Sequence, residues 1–408
     1  MSTRKAAVLD LGSTKAVCMV ASLDDNGALR IEAFSMVPCS GLERGVVTDV
    51  DATAEAALKA IEAVEADLGE RLESVAVNIA GAHLNCHNSQ GYLPIYPPER
   101  AIRSEDVLQV INHSRQFVLP GDREQVAAVP KEFRVDGGKK IDSPMGVVGT
   151  RLEVLTHIIS ANSSAINALE KAVAKTGRKL DQILVQSLAS GLAVTTPEML
   201  THGSVVVDIG GETTDVIIFH GGTILYTACL PVGAVNFTKD LCQLLKVSME
   251  EAERLKLEYG TANTKMVADT EVVNINQVDS DQPRQLKRQA LCEILEARMR
   301  EIGTMIQREI DRSGVSSPMR GGVTITGGGA LLEGAESCLS TQLRHAKVRI
   351  AVPKSVGQNS RKVQSPQFST AVGMCRTILE GKGQEFEPVS GAGSWKDRIR
   401  TLKSMFGG

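Results

Sequence analysis

Apolar, strand-like runs stopped by glycine turns occur twice along the chain in the same arrangement. Residues 6–37, AAVLDLGSTKAVCMVASLDDNGALRIEAFSMV, read as three strands, with Asp24-Asp25-Asn26-Gly27 turning the chain between the second and third. Residues 203–229, GSVVVDIGGETTDVIIFHGGTILYTAC, repeat the plan: strand, glycine-rich turn, strand, Gly-Gly turn, strand. VLDLGST (8–14) aligns with VVDIGGETT (206–214), so that Asp10 falls on Asp208. Matching hairpins around one motif predict a duplicated fold.

Between the repeats, Ala56, Ala57, Ile61, Val64 and Leu68 recur at helical spacing, and SVAVNIAG (74–81) reads as a short buried strand. The stretch 83–162 differs in character. It carries Tyr92, Pro94, Pro97 and Pro98, glycine turns around Gly137 and Gly146, and a closing strand at 151–160, and it reads as an inserted α+β subdomain. Further on, Leu291, Ile294, Leu295, Ile302, Met305, Ile306 and Ile310 mark one face of a long helix expected from Arg284 to Ser313. GGVTITGGGALLEGA (321–335) then gives a strand, a glycine loop and a helix start, and 381–394 reads as a flexible linker.

Composition narrows the class. The 408 residues carry 45 Lys+Arg against 48 Asp+Glu, a net charge of −3, which argues against a nucleic-acid coat. With 42% hydrophobic and 23% charged residues the chain is an ordinary globule rather than a disordered one. Only 3% is aromatic, so Val, Ile, Leu and Ala build the core, which suits sheets flanked by helices. The eight cysteines form no C-x-x-C pair, which argues against zinc or iron–sulfur. His83 and His87 are four apart but flanked by Gly81, Asn85 and Asn88, so a helical metal pair is not expected. No apolar h-region opens the chain and no run of about 18 apolar residues occurs, so a reduced, cytosolic protein is expected.

Three glycine turns carry the candidate chemistry: Asp10-Leu11-Gly12-Ser13-Thr14, Asp208-Ile209-Gly210-Gly211-Glu212-Thr213-Thr214, and Gly327-Gly328-Gly329-Ala330. Glycine lets successive N–H groups point at phosphate oxygens, and the hydroxyls of Ser13, Thr14, Thr213 and Thr214 add donors. Asp10 and Asp208 sit where strands end, placed to hold a phosphate-bound Mg²⁺ through its waters.

On these motifs the chain resembles the actin/Hsp70/sugar-kinase superfamily, and within it the FtsA family of bacterial actin homologues. Residues 8–17 resemble the first phosphate motif, including Lys15. Residues 205–217 resemble the second, 324–335 the adenosine motif, and FSTAVGM (368–374) the second connecting motif. SPMGVVGTRLEVLTHIIS (143–160), QPRQLKRQALCEILEAR (282–298) and the C-terminal tail are the more particular matches. The resemblance implies an α/β, actin-like fold of two lobes with duplicated ribonuclease-H-like cores and ATP in the cleft between them. The first lobe would take 1–82 and 163–202, with the insert at 83–162. The second would take 203–230 and 313–380, with a smaller subdomain at 231–312. The resemblance also implies that Glu253 and Lys256, an E-x-x-K pair, face the nucleotide. Two departures stand out. Glu212 replaces the third glycine of the second phosphate loop, where a carboxylate is repelled by a γ-phosphate unless it turns away or is bridged by metal. Gln186 stands where ribbon-forming bacterial actins carry an acid, and it orients water but is a poor base. Slow or negligible hydrolysis follows, with Glu212 a candidate to take over as base.

In the tail, Trp395, Ile399, Leu402 and Phe406 fall on one helical stripe, while Lys396, Arg398, Arg400 and Lys403 oppose a single Asp397. A basic helix with Trp and Phe on its apolar face suits an anionic bilayer surface. The resemblance implies a protein that polymerises at the cytoplasmic face of the inner membrane and tethers the division ring at the septum. Its partner would be the C-terminal peptide of FtsZ, with Lys287, Arg288, Arg298 and Arg300 as candidate contacts. An actin-like pilus-assembly ATPase and a sugar-kinase-type phosphotransferase are the alternatives.

Overall fold

The computed structural model describes residues 4–380 apart from 26, 117, 279–281, 316–318, 345–346, 355 and 358–361. The linker at 381–394 and the tail at 395–408 lie outside the described residues.

The opening apolar runs form β1 (Lys5–Leu11), β2 (Lys15–Leu23) and β3 (Leu29–Pro38). Helix α1 (Val50–Leu68) starts where the Asp49 carboxylate accepts from two free amides and stops at Gly69, whose φ of 70° only glycine adopts freely. Then come β4 (Ser74–Ile79), β5 (Asn85–Pro94), α2 (Ser104–Arg115), β6 (Arg123–Val135) and β7 (Arg151–Asn162). The chain continues through α3 (Ser163–Lys175), β8 (Lys179–Val185), α4 (Gln186–Val194) and α5 (Pro197–His202). The second half opens with β9 (Ser204–Ile209), β10 (Thr214–His220) and β11 (Thr223–Leu230), followed by α6 (Ala234–Leu245) and α7 (Met249–Tyr259). After β12 (Val272–Ile275), β13 (Arg284–Lys287) and α8 (Arg288–Arg312) come β14 (Val323–Thr326), α9 (Ala335–Gln342), β15 (Val348–Ile350) and α10 (Ser369–Leu379).

The duplication is plain in the sheets. One runs β8-β4-β1-β2-β3 and the other β15-β14-β9-β10-β11. In both, the first hairpins are antiparallel and the later strands join in parallel. The fold is thus two-lobed α/β with a third, smaller sheet, β5-β7-β6, inserted after β4 and backed by α2.

Two expectations change on contact with the structure. The long helix begins at Arg288, because Arg284–Lys287 pair antiparallel with Val272–Ile275 and the Arg288 amide donates to the Glu271 carbonyl. The division of residues between lobes also differs. Helix α10, expected with the second lobe, buries Ala371, Val372 and Cys375 against Val8, Val17 and Met19 of the first sheet. Helix α4, expected with the first, packs Leu188 and Val194 toward Val206 and Ile217 of the second. The two helices cross so closely that a Cβ on Gly373 would lie 1.9 Å from the Ala189 carbonyl oxygen.

The insert closes a second junction. Its sheet lies on β11, the edge strand of the second sheet, which is thereby covered rather than left open. His157 Nε2 meets Thr227 Oγ1 at 3.2 Å, Lys131 Nζ donates to the Leu225 carbonyl at 3.2 Å, and Thr223 Oγ1 donates to the Pro130 carbonyl at 3.1 Å. Burial, with Lys131 nearby, pushes the His157 imidazole down to about 3, so it sits in this seam uncharged.

A side chain at Gly373 must push α4 and α10 apart. Gly373→Val should therefore destabilise the protein by about 3 kcal/mol, the upper range for overpacking, read from urea unfolding. An unchanged midpoint would show that the helices do not meet at this spacing.

Candidate nucleotide site

The equivalent hairpins of the two sheets meet tip to tip. The β1–β2 turn is closed by the Gly12 amide donating to the Lys15 carbonyl at 2.9 Å, and the β9–β10 turn by Gly210 donating to Thr213 at 2.8 Å. A Cβ on Gly211 would meet Thr14 Oγ1 at 3.1 Å, so the two loops touch across the cleft. The third loop enters at Gly327, whose φ is 84° and whose Cβ would overlap Asp208 Oδ1 at 2.2 Å. Together they line a cleft with an opening of about 580 Å³. Thr14, Lys15, Gly210, Gly211, Gly328 and Gly329 line that opening, and Asp10, Gly12, Ser13, Asp208, Thr213 and Gly327 line its inner end.

The inner end is electrostatically costly. Burial pushes the Asp10 carboxyl up to about 6, with Lys15 opposing the shift and Asp208 adding to it. Burial raises Asp208 too, against hydrogen bonds that include one from Thr370 Oγ1 at 3.2 Å. The Lys15 ammonium, itself lowered by burial, donates to the Gln367 carbonyl and lies 5.4 Å from the centre of the Phe368 ring. The acids offer oxygen ligands only, as Mg²⁺ prefers, and glycine amides with Lys15 suit the phosphates it would accompany. The residues present therefore fit a metal-bound nucleotide.

Sequence reasoning missed Asp215. It is the cross-strand partner of Asp208, and burial followed by Asp208 pushes it up to about 7. Its signal was an acid entering the apolar run Val216–Phe219, which an exposed strand would not need. Asp215 Oδ2 accepts from Gln186 Nε2 at 2.9 Å, and Gln186 Oε1 accepts from Asn78 Nδ2 at 2.9 Å. Asn78 is in turn fixed to both backbone groups of Leu11. Gln186 thus lines the cleft with both ends of its amide engaged.

Other expected residues fall in different places. Glu212 turns from the cleft centre, its Oε2 accepting from the Arg44 amide at 2.8 Å and its Oε1 from Lys239 Nζ at 3.4 Å. It bridges the lobes and escapes the repulsion expected of it. Thr214 is buried, its hydroxyl donating to the Val232 carbonyl, and Ala330 is buried in the second-lobe core, so neither lines the cleft. Glu253 and Lys256 pair at 2.6 Å on the cleft wall. Arg288 also lines the cleft, donating to the Tyr259 carbonyl and to Glu271, which removes it from the outer helix face expected of it. Arg298 is held by both oxygens of Asp240, and Arg300 by Glu296, so neither offers a bare cation; Lys287 is exposed. Among the described residues no group of three His, Cys, Asp or Glu is placed to hold a metal ion.

Asp10 and Asp215 hold protons more readily folded than unfolded. Stability from their protonated forms is therefore complete below about pH 4 and lost as pH rises through their folded values. In metal-free protein, Asp215→Asn should raise stability at pH 8 by more than about 1 kcal/mol, with the gain vanishing toward pH 4 in thermal unfolding. A pH slope identical to that of the parent chain would refute the buried-acid assignment. Glu212→Ala should speed hydrogen exchange of the Arg44 amide about tenfold, the value of one charge-assisted bond. Unchanged exchange there would break the interlobe bridge.

Comparison with known proteins places this geometry in a family. A family model described as cell division protein FtsA matches residues 205–373, and one described as the SHS2 domain inserted in FtsA matches 81–160. The FtsA of Pseudomonas aeruginosa is 32% identical over 366 residues, covering 90% of this chain and 87% of the relative. That of Borreliella burgdorferi is 31% identical over 409 residues, covering 100% and 98%. Among solved structures, a PilM–PilN type IV pilus biogenesis complex superposes with a TM-score of 0.66 at 17% identity, covering 92% of this chain and 98% of that one. MreB5 of Spiroplasma citri bound to ADP gives 0.53 at 14% identity, covering 93% and 98%. The two structural likenesses establish the actin-like fold; the sequence relatives go further, and the chain belongs to the FtsA family of cell division proteins.

Proposed function

We propose that this protein binds Mg-ATP in the interlobe cleft, polymerises on the cytoplasmic face of the inner membrane and tethers the FtsZ ring to it at the division septum. The observation that carries the reading is the convergence of three glycine loops, Lys15 and the buried Asp10 and Asp208 on one cleft. The two carboxylates would hold the metal's water shell, the loop amides and Lys15 the phosphates, and Glu253 with Lys256 the nucleoside side. When bound, the metal would supply the positive charge that the acids lack. Nucleotide touching both loops favours closed lobes, the form suited to packing in a filament.

Turnover would be slow. Gln186 is locked between Asn78 and Asp215, and Glu212 faces Arg44 and Lys239, so neither is free to act as a mobile base. The smaller subdomain of the second lobe would receive the FtsZ peptide. Lys287 remains the more open of the basic candidates, because Arg288, Arg298 and Arg300 each pair with an acid. The tail at 395–408 would attach to anionic lipid through Trp395, Ile399, Leu402 and Phe406, flanked by Lys396, Arg398, Arg400 and Lys403. No helix among the described residues is long and apolar enough to cross a membrane. A pilus-assembly ATPase shares the fold likeness, but the family membership favours division.

Vesicle cosedimentation against protein concentration tests this reading. The full chain should bind anionic vesicles steeply with concentration and more tightly with Mg-ATP, because a polymer presents many weak helices at once and avidity rises by about 10²–10⁴. Removal of 394–408 should abolish sedimentation while leaving thermal stability intact, and Asp208→Ala should remove the nucleotide effect alone. Hyperbolic binding indifferent to nucleotide would take ATP and the polymer out of the mechanism.

A further inference from the structure

Three cations, Lys15, Lys256 and Arg288, line the opening of the nucleotide cleft. Lys15 also lines the inner end with Asp10 and Asp208, and Lys256 is paired with Glu253 and donates to Thr238 Oγ1 at 2.9 Å. Arg288 is fastened differently. Its Nε donates to the Tyr259 carbonyl at 2.8 Å and its Nη1 to Glu271 at 2.7 Å, while its Nη2 lies 3.7 Å from a Glu333 carboxylate oxygen. A guanidinium donates within its own plane, so partners at all three nitrogens occupy its edge and leave its face.

Among the described residues the opening has no other flat side chain free to meet a base. Phe237, the one aromatic residue in the lining, is 1% exposed, and the backbone of Gln367 is tied to Lys15, where the phosphates are placed. Leu257 and Leu331 line the same opening with much of their aliphatic surface uncovered, at 74% and 53% exposed. An aromatic ring laid there would cover apolar surface and meet a half-buried cation of matching shape. We propose that Arg288 stacks its guanidinium face on the base of the nucleotide, with Leu257 and Leu331 supplying the aliphatic part of the base pocket. With its edge committed to the fold, Arg288 holds the base by area and charge and does not read its hydrogen-bonding groups. This inference rests on the nucleotide reading of the cleft and names the residue that grips the ligand at the end away from the phosphates.

Calorimetric titration of the full chain, in Mg²⁺, with ATP and with ribose 5-triphosphate tests the proposal, because the second ligand keeps the sugar and phosphates and lacks the base. The parent chain should bind ATP at least about tenfold more tightly than ribose 5-triphosphate. Arg288→Ala and Arg288→Lys should each weaken ATP about tenfold and leave ribose 5-triphosphate within about twofold, since lysine keeps the charge but has no plane to stack. If Arg288→Ala does not fold, Arg288→Lys, which can keep the pair with Glu271, decides alone. Equal losses for both ligands would make Arg288 a structural residue and overturn the stacking, as would an ATP affinity unchanged in Arg288→Lys. A parent chain that binds ATP no more tightly than ribose 5-triphosphate would overturn the stacking and leave the phosphate site standing. Failure of both ligands to bind the parent would remove the nucleotide reading itself, and the role of Arg288 with it.

Discussion

Three carboxyls, those of Asp10, Asp208 and Asp215, are sealed from water where the two sheets point their first hairpins at each other. Taking that much acid out of water is unfavourable, and among the described residues Lys15 answers Asp10 and Asp208. The surroundings follow from the problem. Glycines stand where the loops must approach, because at Gly211 and Gly327 a side chain would strike Thr14 or Asp208 itself. Thr370 and Gln186 are spent as hydrogen-bond donors to the acids. The lobes are held close enough that a bridging charge can touch both sides at once. A fold of this kind keeps part of its stability in reserve for whatever cation and anion complete it.

The duplicated plan was legible because it is written in local terms. Each hairpin announces itself by alternation and by the glycine at its turn, and Asp10 and Asp208 occupy matching positions in both copies. What escaped was set by packing between distant segments. Helix α10 follows the second sheet in sequence but lies against the first, and α4 does the reverse, since the contact that fixes them is the missing side chain at Gly373. Thr214 looked like a phosphate donor by its place in the motif, yet the strand's alternation turns it to the Val232 carbonyl. Arg288 looked like a surface cation because the helix was expected to start four residues earlier. With those residues taken by a strand, Arg288 becomes the first residue of the helix and turns toward the cleft.

The insert adds a feature that the duplicated core lacks. In the core alone the lobes would touch at the hairpin tips and at the α4–α10 crossing. The β5-β7-β6 sheet reaches over to the outer strand of the second lobe and makes a further junction around His157 and Thr227. That junction is built from hydrogen bonds around an uncharged imidazole, with the Lys131 ammonium donating to a carbonyl rather than pairing with a carboxylate, so salt should leave it largely intact.

The Glu212 bridge has a mechanical consequence. It joins the lobes through the backbone amide of Arg44, with one long ion pair to Lys239 on its own side, at a place open to solvent. The helix crossing joins them through close packing, and the insert seam through part-buried hydrogen bonds. Of the contacts between the lobes, the Glu212 one lies open to solvent and can come undone without opening a core. Once it has, the helix crossing, the insert seam and the loop tips at Gly211 and Thr14 still hold the lobes together. The bridge therefore works as a latch: releasing it slackens one side of the cleft while the remaining contacts keep the lobes in register.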